Sequence, residues 1–151
     1  MLLFLALLLI VTLLGLYRTR RMEKSGNQKT FQKGKVPDPL PDGLLRGTVE
    51  GYGGSWKGKF FERKTATGIN LFREGKKEQK RYPFQTYVAK GLKDPKTDVL
   101  RIDYESPKNP FWVRFVLDEI VETKKGKYLG KVHLRIIPGL PFTVGYFRLE
   151  K

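Results

Sequence analysis

Between residues 98 and 149, apolar and polar side chains alternate at every second position in one run after another, a period that only half-buried β-strands satisfy. In residues 99–104, Leu100, Ile102 and Tyr104 share one face while Arg101 and Asp103 share the other. Residues 111–117 continue the pattern. In residues 127–137, Tyr128, Gly130, Val132, Leu134 and Ile136 alternate with Leu129, Lys131, His133 and Arg135, and residues 142–149 close the set. Gly126, Pro138-Gly139 and Pro141 lie between the runs, where turns call for positive φ or a fixed φ. Upstream, residues 44–50, 55–62, 67–73 and 82–89 give four further candidates. No segment of this region keeps apolar residues at i, i+3, i+4 and i+7 over three turns, so little helix is expected in it. About eight short strands separated by turns predict an all-β domain, an antiparallel up-and-down barrel or a sandwich. Closure into a barrel removes exposed edges.

Ahead of the β-domain, residues 1–17 carry no charged side chain, and Thr12 is their one polar interruption. At 1.5 Å per residue such a helix reaches about 25 Å, near the short limit of a membrane span. Tyr17 at the interface and snorkelling Arg18 and Arg20 make up the difference. The run lacks a basic segment before it and a small-x-small cleavage site after it, which favours an uncleaved transmembrane anchor over a secretory signal or a buried core helix. Lys and Arg are in excess on its C-terminal side, which predicts an outward N-terminus and a cytoplasmic domain, with a periplasmic or extracellular domain as the alternative.

Residues 18–43 read as a basic, Pro-rich linker. From Arg18 to Lys35 there are seven basic residues and one acid, with no hydrophobic period, which predicts a linker that is flexible or orders on contact, and whose Arg18, Arg20, Arg21 and Lys24 meet anionic lipid. Pro37, Pro39 and Pro41 then impose an extended chain and mark the start of the domain at residues 44–151. The whole chain holds 30 Lys+Arg against 15 Asp+Glu, a net +15, which favours anionic partners. The basic turns Lys76-Lys77 to Lys80-Arg81 and Lys124-Lys125 to Lys127, flanked by Tyr82 and Tyr128, have the charge and aromatic mixture of a single-strand binder. With an anchor present, membrane lipid is the nearer polyanion, and nucleic acid is disfavoured. There is no Cys, so disulfides, thiolate metal sites and cysteine nucleophiles are ruled out together.

Gly53 to Lys59 fits G-x-x-x-x-G-K, but Phe60 stands where a phosphate loop needs Ser or Thr, and a strand follows where a helix is required. Gly54-Ser55-Trp56 resembles the Gly-x-Trp of the lipocalins and the wider calycin barrels, and Ile102-Asp103-Tyr104 is similar to their Thr-Asp-Tyr. The resemblance implies a barrel in which Trp56 plugs the closed end and Arg148, from the last strand, packs across it as a clasp. Asn109-Pro110, Asp118-Glu119, Tyr128 to Lys131 and Gly145 to Phe147 also resemble a group of uncharacterised bacterial membrane-anchored proteins, a likeness that brings no activity with it.

The interior of an eight-stranded barrel is either filled or holds one small ligand. If hollow, it is expected to take a hydrophobic or lipid-like molecule on Phe84, Tyr104 and Phe115, with Arg114 or Arg135 meeting its head group. If filled, the domain reads as an adaptor whose basic loops contact an acidic partner. Asp118 and Glu119 are neighbours on a strand and therefore point to opposite faces, which excludes a close carboxylate dyad and predicts a cross-strand ion pair with Lys131 or His133. An enzyme of hydrolase type using Asp118, Glu119 and His133 is the third reading. A lone His without Cys predicts no metal, and no motif calls for a cofactor. Oligomeric state is open.

Overall fold

The computed structural model describes residues 1–50 and 53–151. Two helices, α1 (Leu2–Glu23) and α2 (Gly26–Lys33), precede eight strands: β1 (Gly43–Thr48), β2 (Trp56–Glu62), β3 (Thr67–Glu74), β4 (Lys77–Lys90), β5 (Asp98–Asp103), β6 (Val116–Lys124), β7 (Lys127–Ile137) and β8 (Leu140–Glu150). Each strand pairs antiparallel with the next, and β8 returns to β1 through Arg46↔Glu150 and Thr48↔Arg148, closing an up-and-down barrel. The two-residue period of residues 99–104 holds: Leu100, Ile102 and Tyr104 all point inward.

The barrel has one filled half. Leu45, Phe61, Phe84, Leu100, Ile102, Ile120 and Leu149 meet there, each nearly or wholly shielded from solvent. Phe84 stacks edge-on against Phe61 and Tyr104, with centroids 5.3 and 5.6 Å away. The opposite half is hollow. It is the end at which β1 stops, β2 and β6 begin, and the β3–β4 and β7–β8 hairpins turn.

Three local readings are corrected. Residues 18–33 are not a flexible tether: α1 continues to Glu23, and α2 packs on the outside of the barrel. A polar composition hides the reason, which is that Gln28 and Phe31, three apart, occupy one face of α2. Phe31 is fully buried against Val99, Val121, Leu129 and Tyr146. Residues 111–115 are not strand but a turn and a 3₁₀ segment (Val113–Phe115). Pro110 has no N–H for a ladder, and Asn109 Nδ2 donates to the carbonyls of Tyr104 and Pro83, both at 2.8 Å, folding the segment back as a loop. Phe111, Trp112 and Phe115 are consequently exposed. Finally, β4 begins at Lys77, because Gly75 at φ +61 makes a tight hairpin out of the basic turn.

α1 lies along the outer face of β8. Its Thr19 Oγ1 accepts from the Thr143 N–H at 2.9 Å, and Arg18 Nε donates to the Val144 carbonyl at 2.8 Å. Gly15 sits so close to Phe142 that an added Cβ would lie 2.6 Å from the ring. Toward its N-terminus, α1 therefore runs toward the β7–β8 hairpin. Beyond Phe142 about two strand residues, roughly 7 Å, remain before that hairpin, whereas residues 2–14 of α1 add about 20 Å. Most of the apolar half of α1 thus projects past the hollow end of the barrel, with its leucines exposed. By length and composition α1 is able to cross a membrane, as a signal sequence is.

This division into halves makes a contrast measurable by urea unfolding of the full chain in micelles. Phe84→Ala, in the filled half, is expected to cost about 3–5 kcal/mol. Phe115→Ala, on the exposed loop, should change stability by no more than about 0.5 kcal/mol.

Candidate functional site

The hollow half encloses a cavity of about 410 Å³, within the roughly 300–1,000 Å³ of small-ligand sites. Its walls are apolar: Val49 and Trp56 from one side, Phe72 and Tyr82 from another, and Val113, Val116, Val132 and Phe147 completing the circuit. The Trp56 ring packs edge-on against Phe147 at 5.6 Å. Gly47 makes room for that indole, since a Cβ there would stand 2.3 Å from it.

At the bottom lies a hydrogen-bonded group of charged and polar side chains. Lys59, only 2% exposed, points inward from β2. Its Nζ donates to Asn70 Oδ1 and to Asp118 Oδ2, both at 2.9 Å, and to the Tyr104 hydroxyl. Tyr104 in turn donates to Asp118 Oδ2 at 3.0 Å. Asn70 Nδ2 donates to Tyr104 at 3.0 Å and to the Tyr82 carbonyl at 3.2 Å, and the Trp56 indole N–H donates to Asn70 Oδ1 at 3.0 Å. The ammonium also sits 5.1–5.5 Å from the ring centroids of Phe147, Tyr104, Trp56 and Phe84, within cation–π range. Burial lowers the Lys59 pKa below its ordinary 10.5, and the charge and hydrogen bond of Asp118 oppose that shift. Burial, and then the Asp118 charge, hold the Tyr104 hydroxyl well above its ordinary 10.0.

Two further polar clusters lie on the outside of the wall, sealed under the helices. Glu119 Oε2 meets His133 Nε2 at 3.1 Å, and His133 Nδ1 meets the Thr143 hydroxyl at 3.1 Å. Glu119 Oε1 accepts the Leu92 N–H at 2.6 Å. The order hydroxyl, imidazole, carboxylate is that of a nucleophile with its base and orienting group, but each of the three side chains is at most 1% exposed beneath α1. It is therefore a buried brace between α1 and the barrel. Farther along, Lys131 pairs with Asp94 and donates to Gln28 Oε1 at 2.7 Å, and the Tyr146 hydroxyl donates to the same oxygen at 2.6 Å. These contacts fasten α2.

Asp118 and Glu119 do point to opposite faces. Glu119 takes His133 as its partner, as a cross-strand pair requires, whereas Asp118 pairs with Lys59 and not with β7. Of the residues expected to line a pocket, Tyr104 does so. Phe84 lies below it in the filled half. Phe115 stands on the exposed loop because residues 111–115 are not strand. Arg114 is bound to the Asn109 and Pro107 carbonyls at 2.9 and 3.2 Å, and Arg135 to Asp103 at 2.7 Å, so neither arginine reaches the cavity. The clasp is also corrected. Phe147 faces inward, which turns Arg148 outward, where it donates to Asn27 of α2 at 3.0 Å. Trp56 sits in the wall of the hollow half rather than plugging the filled one. Arg20, Arg21 and Lys24 are exposed along the end of α1.

Lys59 and Asn70 were missed. The signal was present: by the two-residue period Lys59 shares a face with Phe61, and Asn70 shares one with Phe72, so each is a polar residue on an apolar face.

No family model matches the chain, and neither does any curated protein. A crystal structure of a protein from Thermomonospora curvata is similar to it, with a TM-score of 0.58 and 16% identity over 82% of this chain and 84% of that one. At that identity the likeness bears on the fold alone.

The raised pKa of Tyr104 predicts a pH dependence. Above its ordinary value of 10.0 the unfolded chain releases a proton that the folded chain keeps, so this contribution to stability is complete below about pH 10 and is lost as pH rises through the raised value. Tyr104→Phe should show a shallower fall of the urea midpoint above about pH 10 than the wild type does.

Proposed function

We propose that the protein is a membrane-tethered, non-catalytic barrel that binds a hydrophobic or lipid-like ligand drawn from the bilayer. The observation that carries this reading is the position of the hollow half, at the end of the barrel past which the apolar part of α1 projects. Only about 13 Å of α1 extends beyond the β7–β8 hairpin, so seating that length in a bilayer whose hydrocarbon core is about 30 Å thick brings the mouth of the barrel down onto the lipid surface. The groups at that end suit such a surface. Phe111, Trp112 and Ile136 are 68%, 60% and 44% exposed, and aromatic residues partition to the headgroup level. Lys76 and Lys77 sit on the β3–β4 turn at the same end, where anionic head groups attract them. Arg18, Arg20, Arg21 and Lys24 follow the apolar run along the side of β8, roughly 12–20 Å back from the mouth, and add a weaker, longer-range attraction.

Native mass spectrometry of the full chain released from bilayers is expected to show a bound apolar molecule. Val132→Phe, which fills the cavity from its wall, should lower the occupancy several-fold while the fold persists. A wild-type cavity that never retains such a molecule would refute the proposal.

The excess of Lys and Arg after the apolar run supports a barrel on the cytoplasmic side. Protease added to intact spheroplasts should leave residues after Lys35 uncut and should digest them once the cells are lysed. Cutting before lysis would reverse the orientation.

A further inference from the structure

The group at the bottom of the cavity has one unused capacity, and it is an acceptor. Asp118 Oδ2 receives both Lys59 and Tyr104. Asp118 Oδ1 has no hydrogen-bond partner among the described residues, although the residue is 4% exposed and lines the cavity. The donors around this carboxylate are spent: the three hydrogens of Lys59 go to Asn70, Tyr104 and Asp118, and the Tyr104 hydroxyl goes to Asp118. The one ammonium is already matched by the one carboxylate. Oδ1 is open to the cavity, and a ligand that covers it without donating to it would leave a buried acceptor unsatisfied, which is costly.

We infer that the site selects a neutral amphiphile ending in a hydroxyl, such as a long-chain or branched aliphatic alcohol. The hydroxyl donates to Asp118 Oδ1, and the chain lies along Phe72, Val116 and Val132 toward the mouth. A carboxylate head, as on a fatty acid, would stand against Asp118 with no donor there to receive it. A bare hydrocarbon would cover Oδ1 and leave it unsatisfied. The inference rests on the cavity being a lipid-like ligand site, and it adds the chemistry of the ligand's polar end.

The test uses the full chain in phosphatidylcholine vesicles with Trp112→Phe, which leaves Trp56 as the one indole of the two in the sequence. Quenching of Trp56 is titrated with an alcohol, a carboxylic acid and an alkane of equal length, each brominated at mid-chain, at neutral pH. The alcohol is expected to bind at least about tenfold more tightly than either of the others, the ratio that corresponds to one unsatisfied buried group. Adding Asp118→Asn should invert the order of alcohol and acid, because it removes the repelling charge and releases Lys59 to the acid. If that variant does not fold, the ranking in the Asp118 protein decides alone. Equal or tighter binding of the acid overturns the inference and leaves the cavity a lipid site. Quenching by none of the three overturns both.

Discussion

A lysine and an aspartate that face each other inside an apolar barrel determine how the interior is used. Lys59 and Asp118 are 2% and 4% exposed, and isolating either charge at that depth would cost several kcal/mol. Each is tolerable because the other is 2.9 Å away and because Asn70, Tyr104 and the surrounding rings satisfy what remains. Such a pair adds little net stability compared with a well-packed apolar replacement, whereas removing one partner costs about 3–5 kcal/mol. Its consequence is geometric. The group spans β2, β3, β6 and the end of β5, and it separates the packed half from the open one.

The outside of the wall is organised by the same rule in a different place. Glu119, Lys131 and His133 point away from the cavity, yet each is at most 1% exposed because α1 and α2 cover them. Their partners come from the helices or from loops beneath them: Thr19 through Thr143, Gln28, and Asp94. The helices are thereby fixed to the barrel in one orientation. With α1 held along β8, the direction in which its apolar half projects is coupled to the direction in which the cavity opens. A flexible tether, which the polar composition of residues 18–35 suggests, would have left the two independent.

The barrel was legible because alternation over residues 99–104 and 127–137 is strict and the turns between carry Gly and Pro. The helical segment was not, because α2 meets the wall through only Gln28 and Phe31, and an eight-residue helix with two anchoring side chains leaves no periodic trace. Residues 111–117 alternate well enough to pass for a strand, but the bonds from Asn109 and the absence of a donor at Pro110 decide otherwise. The candidate site was half legible. Tyr104 and the inward turn of Asp118 follow from the two-residue period, while the assignment of Arg114, Arg135 and Arg148 to inner roles failed. Long basic side chains near strand ends find carbonyls and carboxylates on the rim before they reach an apolar interior. The calycin resemblance is matched at the level of an eight-stranded up-and-down barrel, but not in its clasp, since the inward neighbour of Trp56 is Phe147.

Occupancy of the cavity by lipid-like molecules in a bilayer would make the hollow half a ligand site. Its most direct test is nuclear Overhauser transfer in nanodiscs, from acyl-chain protons to the methyl groups of Val116 and Val132 in the full chain. Strong transfer to both methyls is expected, and none to Leu100, which lies in the filled half. Transfer to Val116 and Val132 from water protons alone would contradict it.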